Sequence, residues 1–258
     1  MENANAGAPG RAVPLALVVC LGLAACSGPG TGVMTLEELI RRHTEARGGR
    51  VAIEGIQNLE MKLRIVEPTY MADGVYRADR KGRMRIDVFM EGKRVFTEAF
   101  DGKRAWQLAG GGERAVEAGS DGSAALRHSG QFPTNILGLH EMAAHGHTLE
   151  YAGREDVAGV AYHVVVLTLD DGFTTRYYID PTSYLIARGR VRKALHPDVD
   201  PAPTTIETVW TDFRDVGGVR FAFQGSDTDL ATGRLLQTTT LLDITPNAPL
   251  DEALFRMP

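Results

Sequence analysis

The chain is 258 residues long with a formal net charge of −5, a pI near 5.8 and a mean hydropathy of −0.15. Lys and Arg are scattered along it, which excludes a basic stripe for nucleic acid, and a hydrophobic content of 43% suits a globular domain with its own core. Its two cysteines, Cys20 and Cys26, both lie near the start, so the remainder can form no disulfide and offers no thiol nucleophile.

The apolar run Ala12 to Leu23 is about a dozen residues, short of the roughly 20 that a spanning helix needs. Arg11, a short apolar stretch and small residues before a break are the layout of a secretory signal. Leu23-Ala24-Ala25-Cys26 resembles the bacterial lipobox, which is cut just before a Cys that takes the lipid. The expectation is therefore a signal peptide over 1–25, then a lipidated Cys26 and a flexible stalk over 26–34. An ordinary cleavage site beside an incidental Cys is the alternative. Ser27 in place of an Asp after the Cys leans towards the outer membrane rather than the inner one.

Thr35-Leu36-Glu37-Glu38 reads as a capping box opening a helix, with Leu36, Leu39, Ile40 and His43 at helical spacing and Gly48-Gly49 as its end. His43 reads as a histidine at the edge of the core. From Ile56 the period becomes two: Leu59, Met61, Leu63 and Ile65 alternate with Glu60, Lys62 and Arg64. Strands follow at 74–80, 84–90, 94–100 and 103–108, joined by Lys81-Gly82, Glu91-Gly92-Lys93 and Asp101-Gly102. Such short turns make consecutive strands antiparallel. The second half repeats the pattern at 147–151, 161–168, 173–179, 184–191, 204–213, 219–223 and 235–244, with turn signals at Asp170-Asp171-Gly172, Asp180-Pro181 and Gly217-Gly218.

Residues 109–146 interrupt this meander. After Gly110, Gly111 and Gly112 come two stretches read as helical, 123–128 and 134–144, the second carrying Ile136, Leu137, Leu139 and Met142 behind Thr134 as a cap. A helical insertion of this kind serves either as a lid or as plain core cover. Within it, His140-Glu141-Met142-Ala143-Ala144-His145-Gly146-His147 approaches a zinc helix but spaces its first two histidines five apart instead of four, so they do not stack on one face. No Gly-x-Ser-x-Gly elbow and no phosphate-binding glycine loop occurs, and Asp170-Asp171-Gly172 lacks the later acidic ligands of a calcium loop. The expectation is a protein that is not an enzyme, with no catalytic residue, no cofactor and no metal.

Several segments together resemble a known family: Ala99 to Leu108 (AFDGKRAWQL), Gly153 to Gly172, Tyr177 to Arg188 (YYIDPTSYLIAR), Trp210 to Phe221 (WTDFRDVGGVRF) and Asn247 to Pro258, in that order, with Ala46 to Gly49 (ARGG) before them. They are similar to outer-membrane lipoprotein-sorting proteins of the LolA/LolB carrier type. The resemblance implies a mainly β (α+β) domain over 35–258: a single antiparallel, incomplete (half-open) β-barrel of about 11 strands with a helical lid. In that fold acyl chains of lipoproteins enter an apolar hollow. The shuttling carrier is soluble, whereas Cys26 makes this chain resemble the membrane-fixed acceptor.

The resulting expectation is a periplasm-facing lipoprotein of the cell envelope, tied to the membrane by its N-terminal lipid, that holds a lipid or an acylated lipoprotein. The Ile136, Leu137, Leu139 and Met142 cluster is expected on the inner face of the lid, with Phe89, Trp106 and Val165 on the cavity wall. A protein-interaction or envelope-stress sensor domain with an envelope protein as partner is the second reading, and a metal-dependent hydrolase around His140, His145 and His147 the third.

Overall fold

A computed structural model of the protein describes residues 33–258 apart from Gly111, Glu113 and Asp198; the expected signal peptide and Cys26 lie outside the described residues. Thr35 caps the first helix, α1 (Leu36–Arg47), its side chain accepting from the Glu38 amide, and Gly48 ends it. Gly48 is required twice over. Its φ is +131°, and a Cβ there would stand 2.0 Å from the Gly218 carbonyl oxygen, so the end of α1 lies directly on a strand turn. A short second helix that the sequence did not announce, α2 (Arg50–Gly55), follows at once.

Thirteen strands among the described residues form one open antiparallel sheet. The first six are β1 (Asn58–Glu67), β2 (Tyr70–Asp79), β3 (Met84–Met90), β4 (Lys93–Phe100), β5 (Ala105–Ala109) and β6 (Val116–Glu117). The other seven are β7 (Thr148–Val157), β8 (Val160–Thr168), β9 (Thr174–Ile179), β10 (Ile186–Lys193), β11 (Thr204–Val216), β12 (Val219–Asp229) and β13 (Leu235–Pro246). The order across the sheet is β6-β5-β4-β3-β2-β1-β13-β12-β11-β10-β9-β8-β7. Every neighbouring pair but β1–β13 is a hairpin between strands adjacent in sequence, and β6 and β7 are the free edges. The half-open, mainly β architecture is as expected. The strand count exceeds the expected number of about 11, and one of the additional strands, β6, is only two residues long and too short to leave a periodic signal.

Register assigns the faces. The rows Leu59–Ala78–Met84–Phe100–Ala105 and Met61–Tyr76–Ile86 run across one face, and Val165–Tyr177–Gly189–Thr208–Asp227 continues it on the other half. The helices cover this face, and the main core lies between them and the sheet. Each buried Leu, Ile or Phe in it contributes roughly 1.5–3 kcal/mol. The opposite face is partly covered by the C-terminal segment, where a 3₁₀ helix (Glu252–Phe255) buries Phe255 and the Trp106 Nε1 donates to the Phe255 carbonyl at 2.8 Å.

The inserted segment differs from expectation in form. Helix α3 (Ser120–Ser129) covers the first predicted stretch, but 134–144 is not one α-helix. It makes turns as far as Gly138 and then a 3₁₀ helix (Leu139–His145). The buried Arg47 guanidinium accounts for this, because it takes the carbonyls of Pro133, Asn135 and Leu137, the acceptors an α-helix there would have used for itself. Gly138 completes the break, since a Cβ there would lie 2.5 Å from the His140 imidazole.

Candidate functional site

Helix α1 presents Leu39, His43, Thr44 and Arg47 as its buried face, residues about one turn apart. His43 and Arg47 look into a hollow of about 300 Å³ on the helix-covered side of the sheet, at the small end of the roughly 300–1,000 Å³ typical of small-molecule pockets. Met61, Leu63, Ile186, Trp210, Phe221 and Phe223 make most of its apolar wall, and the segment Phe132 to Asn135 lies along it. Trp210 packs there because its two flanking strands carry glycine: a Cβ on Gly189 would stand 2.7 Å from the indole, and one on Gly225 3.7 Å.

The two ends of the hollow differ chemically. Arg47 lies over the Phe221 ring at 5.7 Å, near the β11–β12 turn, and Asp227 and Lys193 line the hollow six residues further along β12 and at the end of β10. Six strand residues span about 20 Å. Asp227 accepts from the Thr208 hydroxyl at 2.6 Å, and burial pushes its carboxyl above the usual range. At the helix end, burial pushes Arg47 down to about 10, Glu141 opposing and Arg80 adding to the effect. Burial and the neighbouring Arg47 charge together hold His43 near 4. The His43 Nδ1 lies 2.9 Å from the Tyr184 carbonyl oxygen, while its Nε2 and the Tyr76 hydroxyl are buried with no hydrogen-bond partner. Ser129 and Asn135 draw the Tyr76 phenol down without reaching hydrogen-bond geometry, and burial, the larger effect, raises it.

None of the seven expected wall and lid residues lines this hollow. Ile136, Leu137, Leu139, Met142 and Val165 are brought together, but in the main core, each at most 4% exposed. Phe89 and Trp106 are on the other face, because their register partners Asp73 and Ala99 are one residue out of phase with the rows facing the helices. Period alone could have divided these strands into two faces. It could not have said which face holds the hollow.

The histidine-rich string does not converge as one metal centre: His145 and His147 stack with centroids 6.4 Å apart, and His140 turns instead to Glu54. His140 Nε2 is 3.3 Å from a Glu54 oxygen and 3.9 Å from Glu141, a trio whose atoms lie within 4.8 Å of one another. Both Glu141 oxygens already accept, one from Arg80 at 2.5 Å and the other from the Gly138 amide at 2.8 Å. Arg80 also donates to the Ile53 and Ile56 carbonyls, which makes this cluster a staple between α2, β2 and the 3₁₀ helix.

No protein-family model matches the chain, and no curated protein does. Solved structures do. A LolA superfamily protein from Nitrosomonas europaea superposes with a TM-score of 0.56 at 10% identity, over 87% of this chain and 98% of that one. The fold is LolA-like. A DUF1329 family protein from Desulfovibrio piger gives 0.57 at 10% identity over 85% and 96% of the two chains. An outer membrane lipoprotein-sorting protein domain from Vibrio parahaemolyticus gives 0.54 at 11% identity over 84% and 94%. At such identities the likeness carries the LolA-like architecture and leaves activity to be argued from the hollow itself.

Proposed function

We propose that the protein is a lipid-anchored binding module of the cell envelope that holds a lipid, or the acyl chains of a lipoprotein, in the hollow of its half-barrel. The observation that carries this reading is a hollow about 20 Å long with an aromatic and aliphatic wall, on the helix-covered face of an open sheet. The printed description of the Vibrio parahaemolyticus neighbour as a lipoprotein-sorting domain supports it. The reading assigns the protein no chemical step and no cofactor. The lid is then the short stretch Phe132 to Asn135, which lines the hollow and is held by Arg47, rather than the whole of 109–146.

Cys26 supplies the tether in this reading and the periplasm the compartment, with Ser27 favouring the outer membrane. One acyl chain binds only marginally, and stable anchoring takes more than one. The Cys26→Ser protein should therefore lose its acyl mass and leave the membrane fraction; a variant that still pellets with membranes refutes the tether. Binding is tested with diphenylhexatriene, an apolar fluorophore, which should brighten on entering the hollow and be displaced by extracted envelope lipid. No brightening would refute the carrier reading. The interaction-module reading would then lead, favoured by the exposed apolar side chains of Val66, Met71 and Leu235 on adjoining strands.

A further inference from the structure

The hollow is polar at both ends, and where α1 and β2 meet it two polar atoms are left over. His43 is 2% exposed and its Nδ1 faces the Tyr184 carbonyl oxygen at 2.9 Å. A carbonyl only accepts, so Nδ1 is the nitrogen that carries hydrogen. Burial keeps the ring neutral at pH 7, with a single N–H. Nε2 therefore presents a lone pair, buried and without a donor among the described residues. The Tyr76 hydroxyl, in the same wall, is buried and unpaired as well. Native interiors leave few such atoms unmatched, and these two belong to side chains that line a space able to admit a partner.

We infer that the occupant of the hollow carries a neutral hydrogen-bond donor, a hydroxyl or an amide N–H, which it delivers to Nε2 of His43. This deepens the binding reading above and rests on it. A carboxylate or an ester brings acceptors only, and would set oxygen lone pairs against the imidazole lone pair at about 3 Å. Arg47 spends three of its five N–H groups on the carbonyls of Pro133, Asn135 and Leu137, and a ligand oxygen that takes the others still leaves Nε2 without a donor. A hydroxyl has the further advantage of accepting in turn, which Tyr76, as a donor in the same wall, can use. The ligand class is thus a long-chain amphiphile with an uncharged donor at its head, entering head first towards α1.

The test is displacement of diphenylhexatriene from the purified full chain by four ligands of equal chain length: dodecanol, dodecanamide, methyl dodecanoate and dodecanoate. Dodecanol or dodecanamide should displace the probe at about one-tenth of the concentration that methyl dodecanoate needs, and the two arms separate hydroxyl from amide. Nitrogen NMR supplies a readout that needs no variant. The Nε2 resonance of His43 should move upfield with the bound donor ligand and stay in place with the ester. His43→Leu, if folded, should erase the preference. Equal displacement by the ester, tighter binding of dodecanoate, or an unmoved Nε2 resonance under bound dodecanol would each overturn the inference while leaving the hollow as a binding site. Failure of the probe to bind at all would overturn both.

Discussion

Replacing Arg47 with Met tests the grip that shapes the site. The guanidinium donates to the Pro133, Asn135 and Leu137 carbonyls, and it forms no ion pair with a carboxylate among the described residues. A hydrogen bond involving a charged group is worth roughly 1.5–3 kcal/mol, so three amount to about 6 kcal/mol. Against this stands the cost of burying the cation. Burial moves Arg47 from 12.5 to about 10, which costs about 3 kcal/mol at neutral pH. The bonds win by about 3 kcal/mol, and Met, which fills the volume without the charge, should lower stability by that amount. The domain should stay folded, since a loss of about 3 kcal/mol falls within the usual 5–15 kcal/mol margin. The 132–138 stretch, now holding buried carbonyls without donors, should become the first site of protease cleavage. Urea melts of wild type, Arg47→Met and Arg47→Lys, with limited proteolysis, check this. Lys keeps the charge but not the planar fork, and should recover less than half of the loss. A Met variant within about 0.5 kcal/mol of wild type, or a Lys variant equal to it, refutes the account.

Leu139→Asp, which a movable lid would tolerate, should unfold the domain or cost about 4–5 kcal/mol in a urea melt, because Leu139 is 1% exposed in the main core and the carboxylate would be buried unpaired. His43, held near 4 by burial and by Arg47, is bound to a proton more readily in the unfolded chain than in the folded one. Its stability contribution is therefore complete above pH 6.5 and falls by about 3 kcal/mol as pH drops towards 4. Buried His140, His147 and His163 act in the same direction, and His43→Gln should flatten the slope of melting temperature against pH over that range. Equimolar zinc should move the melting temperature by less than about 2 °C, since the Glu141 oxygens are taken by Arg80 and the Gly138 amide; a larger rise would make the Glu54, His140 and Glu141 trio a metal site.

The strands were legible because alternation is a local property: Leu59, Met61 and Leu63 announce a face, and Asp101-Gly102 announces a return. The assignment of faces was not local. Trp106 looked like cavity wall, yet the chain that covers it is Phe255, 149 positions away. The stretch 134–144 has helical spacing and still breaks, because its carbonyls are claimed by an arginine on another element. Arg47 itself reads as an ordinary basic residue in the last turn of a helix, where a favourable dipole explains it without burial. The spacing of α1 marks His43 as a core-edge histidine; its unpaired nitrogen depends on a Tyr184 carbonyl that only the folded chain brings near.

The sheet order has a consequence for how the domain comes into being. Each strand from β2 to β6 pairs with the one made just before it, and so does each from β8 to β13, while among the described residues the two arrays meet in the sheet only where β1 takes β13. Hairpins close quickly because little loop entropy opposes them, whereas the β1–β13 ladder must join Leu59 to Pro246 and Val66 to Thr238. As the polypeptide is made, β1 therefore waits with one edge bare until the last strand arrives. An interruption anywhere before Leu235 leaves that edge permanently open, an invitation to pair with other chains, so shortened products of this sequence are expected to aggregate instead of surviving as smaller half-barrels.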